Sequence, residues 1–344
     1  MAYKGVLEDI RKCIMLKQPV KVPVFAISME FDIFHLGISH REYERNFDKM
    51  VFTAVESVKR FDYDWALLHP DDYIELEGIV ETLQKEDESI PVIAKEYIKP
   101  TKQNLRDFRI PNFKKDLRMP VYLDAIKEIR GKLEDSACVT GRLAAPFSTA
   151  ALIFGISETM IMTISEKDFL KEALLFFTEL QINWAIEQVK AGAHAIWIGD
   201  CVASSNFISA ETFQQFAAPG LKELVKVIKR EGCIAYYHAA EKSAEHLKMM
   251  PEIGVDIVNV GEEMDISQAK SLIGKKVCLS GNLAPIKILA NTKKEDVEKE
   301  VEAIIEKAKS GGGYIFNTEE GIPYYTPLEN VEAMIKTARK YGAY

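Results

Sequence analysis

The stretch Cys233-Ile-Ala-Tyr-Tyr-His238 decides the fold class of this 344-residue chain. It is short, almost continuously apolar and ends on a polar residue, which is typical of a parallel strand buried on both faces. An amphipathic stretch precedes it, with Ser209 as its predicted N-cap and Gly232 directly after its end. Strand and helix together form one βα unit.

The same unit recurs along the whole chain. Eight apolar runs have the length and composition of buried strands: residues 22–28, 65–70, 137–143, 194–200, 233–238, 255–261, 277–283 and 314–319. Amphipathic helices are predicted between most of them, with clear examples at 293–309 and from Thr326 onward. A repeated βα order gives a parallel sheet with right-handed crossovers, and eight units can close on themselves. We therefore predict an α/β fold, a (β/α)8 TIM barrel that residues 1–344 form as a single domain.

Three parts of the chain exceed what a minimal barrel needs. Residues 71–136 form a long stretch divided by four prolines, residues 146–191 are predicted to hold two or more helices, and a helical addition is predicted before the first strand. Extended βα loops of this kind usually cover the catalytic face.

Composition excludes several classes of function. The net charge of −8 argues against a nucleic-acid partner, and it disfavours a substrate with many carboxylates. No run of about 18 apolar residues is present, so we expect no membrane span, and the start of the chain lacks a secretion signal. We therefore expect a cytoplasmic protein. Its five cysteines are widely spaced, as expected of reduced thiols: Cys13, Cys138, Cys201, Cys233 and Cys278.

Polar residues follow the predicted strands at the end where this fold carries its active site. They are Glu30, Asp32, His69, Asp71, Asp72, Arg142, Asp200, Cys201, His238, Glu262, Glu263, Asn282, Glu319 and Glu320. Loops are polar even where they have no function, so the number of polar residues is weak evidence. What matters is which of these side chains enter the barrel mouth.

Each of these positions has a structural and a functional interpretation. His238 ends an apolar strand and is either a hydrogen-bonding histidine or a Zn²⁺ ligand. Asp200 is either a cap of the next turn or a site acid, and Glu30 is either a solvated charge or a site residue. Because adjacent strand residues point to opposite faces, at most one of Glu319 and Glu320 enters the mouth.

The sulfur and aromatic residues near the mouth also have both a structural and a functional interpretation. Cys201 has no identifiable histidine partner for nucleophilic catalysis, so we expect a plain buried thiol there. Four tyrosines either wall an apolar or aromatic ligand or pack in the core: Tyr236, Tyr237, Tyr324 and Tyr325.

Several segments resemble the uroporphyrinogen decarboxylase superfamily. They are Lys17-Gln-Pro-Val-Lys-Val-Pro-Val-Phe25, Phe47-Asp-Lys-Met50, Tyr236-Tyr-His238, Leu279-Ser-Gly-Asn-Leu-Ala-Pro285 and Gly321-Ile-Pro-Tyr-Tyr-Thr-Pro-Leu-Glu-Asn-Val331. The resemblance extends roughly from residue 7 to residue 341 and is strongest to the cobalamin-dependent methyltransferase branch. It implies the same (β/α)8 barrel that the strand count predicts.

Decarboxylation of a porphyrinogen fits this chain poorly. The resemblance implies an arginine-rich segment after the first strand that holds the carboxylates of the substrate. Here that segment is Ile27-Ser-Met-Glu-Phe-Asp32, which is acidic and would repel them.

The methyltransferase branch implies zinc, held by a His-x-Cys pair and a distal cysteine. The histidine corresponds to His238, but the paired cysteine is Ala240 and the distal one is Glu320. The resemblance therefore implies a site in which both family thiolates are lost. A histidine and carboxylate site makes a harder, more Lewis-acidic metal that favours oxygen ligands.

These residues support one hypothesis about the reaction. The chain would move a methyl group from an O-methyl donor, an aryl methyl ether or a methoxy compound, to the cob(I)alamin of a partner corrinoid protein. His238 and Glu320 would hold zinc, with Glu30 or Asp200 as a further ligand or proton donor. The predicted substrate-binding residues are His69, Arg142, Tyr236, Asn282 and Tyr324. A homodimer is compatible with the sequence.

Other functions stay open at this level. The chain could be a metal-free decarboxylase of a different substrate, with Asp200 as its acid. It could transfer a methyl group from a methylated corrinoid to a thiol, or it could be a barrel that only binds a ligand or a corrinoid protein.

Overall fold

The computed structural model describes residues 5–83, 92–93 and 96–344. Its strands are β1 Trp65–Leu67, β2 Thr82–Leu83, β3 Val92–Ile93, β4 Cys138–Ala144, β5 Ala195–Gly199, β6 Ile234–Glu241, β7 Ile257–Val260, β8 Cys278–Leu283 and β9 Tyr314–Thr318. Seven of them form one parallel sheet in the order β1-β4-β5-β6-β7-β8-β9, while β2 and β3 form a small antiparallel pair.

Helices surround this sheet. They are α1 Val6–Ile14, α2 Met29–His35, α3 His40–Arg45, α4 Phe47–Phe61, α5 Lys102–Asp107, α6 Met119–Leu133, α7 Pro146–Phe154, α8 Ile156–Ser165, α9 Lys167–Ala191, α10 Ala210–Thr212, α11 Ala218–Arg230, α12 Ala244–Ile253, α13 Ile266–Ile273, α14 Lys294–Ala308 and α15 Leu328–Tyr341. Two 3-10 turns lie at Ile74–Leu76 and Cys201–Ala203, and π-helical segments lie at Phe213–Ala217 and Pro285–Ala290.

The predicted strand at residues 22–28 is wrong as a regular strand, because it makes only an isolated bridge to β9. The amide of Phe25 donates to a carbonyl oxygen of β9 (2.9 Å), and the amide of Asp64, just before β1, donates to the carbonyl oxygen of Val24 (2.9 Å). Pro23 has no amide hydrogen to add to a ladder. This extended segment therefore closes the barrel between its two edge strands without completing an eighth strand.

The other seven predicted strands are confirmed, each within three residues of the observed ends. Ser209 caps its helix as predicted, because its hydroxyl accepts the amide of Thr212 (3.1 Å). The segment 146–191 holds α7, α8 and α9. Within the segment 71–136, the structure describes β2, β3, α5 and α6, whereas residues 84–91 and 94–95 lie outside the described part.

Large side chains fill the interior of the barrel. The rings of Phe25 and Trp65 stack with centroids 5.0 Å apart, and the ring of Tyr236 lies edge-on to Phe25 at 5.6 Å. Apolar residues of α1, including Ile10, pack on this interior cluster. A filled interior leaves the reactive groups to the carboxyl ends of the strands, as is usual for this fold.

Among the described residues, no single helix combines the length and the apolar character needed to cross a membrane. Helices α7 and α8 together reach that length and composition, but the chain bends by 112° between them.

Candidate metal centre at the barrel mouth

His238 lies on β6 and points into the barrel mouth. Strand side chains alternate, so His238 shares the interior face with Tyr236, while Tyr237 packs outside the barrel. The imidazole is fully buried, and its Nε2 atom lies 3.1 Å from Oε2 of Glu320. This contact agrees with the prediction from the sequence that His238 and Glu320 lie at the same rim of the barrel.

A thiol completes the group. Cys201 begins the turn after β5, and its Sγ donates to Oε1 of Glu320 at 3.4 Å. The ligand atoms of Cys201, His238 and Glu320 all lie within 4.8 Å of one another. The sequence offered this thiol no histidine partner, whereas the structure places Cys201, a free and partly exposed thiol, in one group with His238. The two positions that the resemblance assigns to cysteine, Ala240 and Glu320, carry no sulfur. Gly199 on β5 pairs with His238 on β6, so the turn after β5 carries Cys201 toward the imidazole.

The separations from His238 and from Cys201 to the carboxylate of Glu320 are close to those of a zinc site. Zinc bonds of about 2.3 Å to sulfur and about 2.0–2.2 Å to nitrogen or oxygen place tetrahedral ligand atoms about 3.4–3.6 Å apart. The nitrogen-to-oxygen and sulfur-to-oxygen separations here are 3.1 and 3.4 Å. Three protein ligands leave one coordination position for a substrate, which is the pattern of catalytic zinc sites.

Electrostatics at the site also suit a cation. Burial opposes ionisation of Glu320, but the charge and hydrogen bond of His238 outweigh it and lower the pKa of the carboxyl. Burial and the Glu320 carboxylate raise the pKa of the Cys201 thiol well above its usual range. The sulfur therefore keeps its proton until a bound cation displaces it.

The two adjacent carboxylates, which follow the end of β9, have different partners. Glu320 contacts His238, whereas Oε2 of Glu319 accepts the backbone amide of Glu262. Burial, together with the charges of Glu262 and Glu320, raises the pKa of Glu319 to about 7.

A second polar cluster lies beside these donors. Nε2 of His69 lies 3.1 Å from Oδ1 of Asp72, and the same oxygen accepts Nη2 of Arg142 at 2.9 Å. Nη1 of Arg142 donates to Oε2 of Glu75 at 2.8 Å. Arg142 and Glu75 are fully buried. The guanidinium predicted to bind substrate thus contacts two carboxylates of the chain itself.

Trp197 connects the two clusters. Its indole lies 4.6 Å from the ring of His238 and 5.3 Å from the ring of His69, measured between centroids. Burial disfavours ionisation of Asp72, but the hydrogen bond of His69 and the charges of Arg142, His69 and His238 lower its pKa overall. An ionised Asp72 therefore faces the same mouth as the three metal donors.

Asp200 turns away from this mouth. Its carboxylate accepts the hydroxyls of Ser148 (2.7 Å) and Tyr237 (3.2 Å), which belong to the layer between sheet and helices. Burial raises its pKa to about 7 even though both hydrogen bonds oppose that shift. The structure thus gives the Asp200 side chain a place behind the site, where it supports the turn that carries Cys201.

Glu30 and Tyr324 lie at the rim. Glu30 is on α2 rather than at a strand end; it is half-buried, and burial raises its pKa although the charge of His69 opposes the shift. The ring of Tyr324 is 52% exposed and packs against Phe34 and Tyr325, with centroids 5.6 and 5.4 Å away. Three aromatic rings are therefore available to a ligand at this rim.

Tyr236 and Asn282 make internal contacts. The Tyr236 hydroxyl donates to Ser280 (3.1 Å) and accepts an amide hydrogen of Asn317 (2.7 Å) below His238. Nδ2 of Asn282 donates to two backbone carbonyl groups, those of Gly261 and Met264. Both residues brace the barrel beneath or beside the mouth.

Comparisons with known proteins give a consistent picture. A family model described as uroporphyrinogen decarboxylase (URO-D) matches residues 13–341. The methylcobamide:CoM methyltransferase MtbA of Methanosarcina mazei is 30% identical over 71% of each chain. MtaA of Methanosarcina barkeri, a methylcobamide:CoM methyltransferase, is 29% identical over 66% of this chain and 65% of its own length. The chain thus spans slightly less than two thirds of MtaA.

Similarity to decarboxylases is comparable. The uroporphyrinogen decarboxylase of Rickettsia bellii is 27% identical over 87% of each chain. Among solved structures, a methyltransferase from Methanosarcina mazei superposes with a TM-score of 0.87 over 99% of both chains at 23% identity. At that identity the superposition establishes the barrel fold.

Proposed function

Because the chain belongs to the uroporphyrinogen decarboxylase family, we propose that it is a zinc-assisted, corrinoid-dependent methyltransferase. Its donor would be an O-methyl compound, either an aryl methyl ether or a simple methoxy compound. Its acceptor would be cob(I)alamin carried on a separate corrinoid protein. The names of MtaA and MtbA specify a methylcobamide, which supports a corrinoid as the second reactant here.

The observation that carries this proposal is the convergence of Cys201, His238 and Glu320 at the mouth. Cys201, His238 and Glu320 would hold a zinc ion there, and that ion would supply Lewis acidity toward the oxygen of the methyl donor. A carboxylate in the position of Glu320 makes that ion a stronger Lewis acid than a second thiolate would.

The chain's own residues position the donor. Phe34, Tyr324 and Tyr325 offer exposed ring faces at the rim, on which a planar aryl group can stack. Trp197 is buried against His238 and keeps water from the inner side of the imidazole. A corrinoid protein would then approach over the same rim, because the methyl carbon has to face the cobalt.

Transfer of a methyl group from a corrinoid to a thiol is a second candidate. The sulfur of Cys201 supports it, because sulfur ligands help a metal to keep a substrate thiol as thiolate. Both methylcobamide relatives are named for a thiol acceptor, coenzyme M. A decarboxylase of another substrate is supported by the similarity to the Rickettsia enzyme and needs no metal.

Metal content and methyl transfer separate these candidates. The purified protein is loaded with zinc, dialysed and analysed for metal. It is then mixed with cob(I)alamin and a panel of O-methyl donors, while the absorbance of the corrinoid is recorded. We expect about one zinc per chain and formation of methylcobalamin. Glu320→Gln should lose both, whereas Glu319→Gln, its neighbour on the other face, should keep both.

Two results would contradict the proposal. Absence of bound zinc after loading would favour the decarboxylase. Demethylation of methylcobalamin by a thiol, without any transfer from O-methyl donors, would favour the second candidate.

A further inference from the structure

Asp72 has two carboxylate oxygens with different surroundings. Oδ1 accepts Nη2 of Arg142 at 2.9 Å and lies 3.1 Å from Nε2 of His69. In the described part of the chain no residue donates to Oδ2, and the Asp72 side chain is 50% exposed, whereas that of Arg142 is 1% exposed. The chain therefore fixes one oxygen of Asp72 and leaves the other open to solvent or to a ligand.

The neighbours of Asp72 locate it at the barrel mouth. The ring of His69, which contacts Asp72, lies 5.3 Å from that of Trp197, a member of the cluster that fills the barrel interior. The ring of Trp197 also lies 4.6 Å from that of His238. The charge of Asp72 acts on the carboxyl group of Glu320 as well. The exposed carboxylate of Asp72 therefore belongs to the same mouth as the metal donors.

Arg142 contacts two carboxylates at once. Its Nη1 donates to Oε2 of Glu75 at 2.8 Å, and its Nη2 donates to Asp72. Oε1 of Glu75 accepts the amide of Ala144 and Nε2 of Gln181, both at 3.2 Å. Because each of these partners donates a hydrogen bond, Glu75 is held as a carboxylate, and one guanidinium faces two negative charges. The network has an excess of negative charge, and its exposed end is Asp72.

A bound zinc ion would leave this excess in place. Glu320 and Cys201, once the thiol has lost its proton, would balance the two positive charges of the ion. The charge of Asp72 is therefore available to a ligand with or without the metal.

The rim beside Asp72 continues the acidic and aromatic surface. Glu30 lies close enough to His69 for their charges to interact. Phe34 follows Glu30 by four residues on α2, so the two side chains share one face of that helix. The ring of Phe34 is 53% exposed and lies 5.6 Å from that of Tyr324, four residues after Glu320. Carboxylates and the faces of aromatic rings both attract cations.

We propose that the methyl donor carries a positively charged ammonium group, and that Asp72 is the specificity-determining residue that binds this group. The inference rests on the proposed O-methyl transfer and names its substrate class, an aryl methyl ether with an aminoalkyl substituent. The ammonium group donates to the open oxygen of Asp72, while the methoxy group is directed toward the metal donors. Because the single indole of Trp197 contacts both His69 and His238, one benzene ring with para substituents is long enough to reach both sides of the mouth.

Two ligands of nearly the same shape test the charge. Para-methoxybenzylamine is a cation at neutral pH, whereas para-methoxybenzyl alcohol is neutral. Calorimetry measures the binding of each to the wild-type protein without a corrinoid, before and after zinc loading. We expect the amine to bind at least about tenfold more tightly than the alcohol, the minimum for a hydrogen bond between charged groups. The preference should persist without zinc, because a carboxylate and not the metal binds the amine.

Two variants test the residue. Asp72→Asn should abolish the preference for the amine, because an amide keeps the shape of the side chain but not its charge. Glu263→Gln removes another carboxylate at this end of the barrel, whose side chain is 65% exposed and contacts Lys242 at 2.7 Å, and should keep the preference. If Asp72→Asn fails to fold, a crystal structure of the wild-type protein with the amine decides whether its nitrogen lies within hydrogen-bond distance of Asp72.

The binding and transfer experiments fail in different ways. Equal binding of the two ligands, a preference that disappears without zinc, or one that survives Asp72→Asn would overturn this inference, even where the protein binds zinc and transfers methyl groups from neutral ethers. Absence of methyl transfer to cob(I)alamin from either ligand and from the wider panel of O-methyl donors would overturn the proposed function itself, and with it the identification of the amine as a methyl donor.

Discussion

The imidazole Nε2 of His238 and the carboxylate Oε2 of Glu320 lie 3.1 Å apart, although 82 positions separate the two residues in sequence. One belongs to β6 and the other follows β9, so only closure of the barrel brings them to one point. The thiol of Cys201 contacts the same carboxylate from the end of β5. The carboxylate of Glu320 therefore joins the other two side chains.

Cys201 is predicted to be a metal ligand. Cys201→Ala should weaken zinc binding by at least about 100-fold, the upper range for loss of a residue that merely supports a ligand. Competition with a chromogenic chelator measures the affinity. Cys233→Ala removes a buried thiol whose Sγ donates to the backbone carbonyl of Ala193 at 3.5 Å, and should leave zinc binding unchanged. Equal affinities of the two variants would exclude the sulfur from the site.

The buried ion pair is predicted to dominate stability around the mouth. Arg142→Met leaves the carboxylates of Glu75 and Asp72 without their cation, and should lower the free energy of unfolding by about 3–5 kcal/mol. Urea denaturation monitored by circular dichroism measures the change. Arg45→Met removes a guanidinium whose side chain is 62% exposed, and its loss should cost less than about 1 kcal/mol. A small effect at Arg142 would contradict the buried network.

Asp32 is predicted to make stability depend on pH. Burial raises its pKa from an ordinary 3.8 to about 7, although hydrogen bonds from Ser28 and Tyr63 oppose the shift. The folded state therefore holds a proton that the unfolded state releases. The stability this proton contributes is complete below pH 3.8 and is lost as the pH rises through 7, by up to ~1.4 kcal/mol per pH unit.

The variant Asp32→Asn isolates that contribution. It should unfold with a smaller decline in free energy between pH 4 and pH 7 than the wild-type protein, when both are followed by urea denaturation at several pH values. Parallel curves for the two proteins would show that Asp32 does not take up a proton on folding.

Two glycines are predicted to respond in opposite directions to the same substitution. A Cβ at Gly261 would overlap the backbone carbonyl oxygen of Ala240, two residues after His238, so Gly261→Ala should destabilise the protein by about 1–3 kcal/mol. Gly131 lies inside α6 with nothing within 4 Å of the added carbon, so Gly131→Ala should stabilise it by about 0.5–1 kcal/mol. Thermal unfolding of both variants checks the signs.

Much of the fold follows from local pattern. Buried parallel strands leave nearly continuous apolar runs in the sequence, and seven of the eight predicted strands are present within three residues. The segment at residues 22–28 has the same composition but contains Pro23, and a proline removes the amide that a ladder needs. The apolar pattern correctly predicted that this segment is buried, but the prediction that it pairs as a regular strand was wrong.

The residues of the candidate site were only partly predictable from the sequence. The identity of His238 and Glu320 as candidates followed from their positions at strand ends and from a family resemblance. Cys201 was missed because its partner histidine lies on the neighbouring strand rather than nearby in sequence. The register that pairs Gly199 with His238 is the signal that could have found it.

The order of residues by itself determined the βα repeat, the end of the barrel that carries the chemistry, and the acidic character of that end. Only the tertiary structure decided which side chains meet there. It placed a sulfur atom beside the nitrogen and oxygen donors. It also showed that the polar groups of Asp200 and Arg142 form hydrogen bonds with other residues of the chain. Periodicity is a property of neighbours along the chain, whereas a ligand set is a set of distances across a closed sheet. Those distances depend on barrel register and on the turns that follow the strands, which no local pattern specifies.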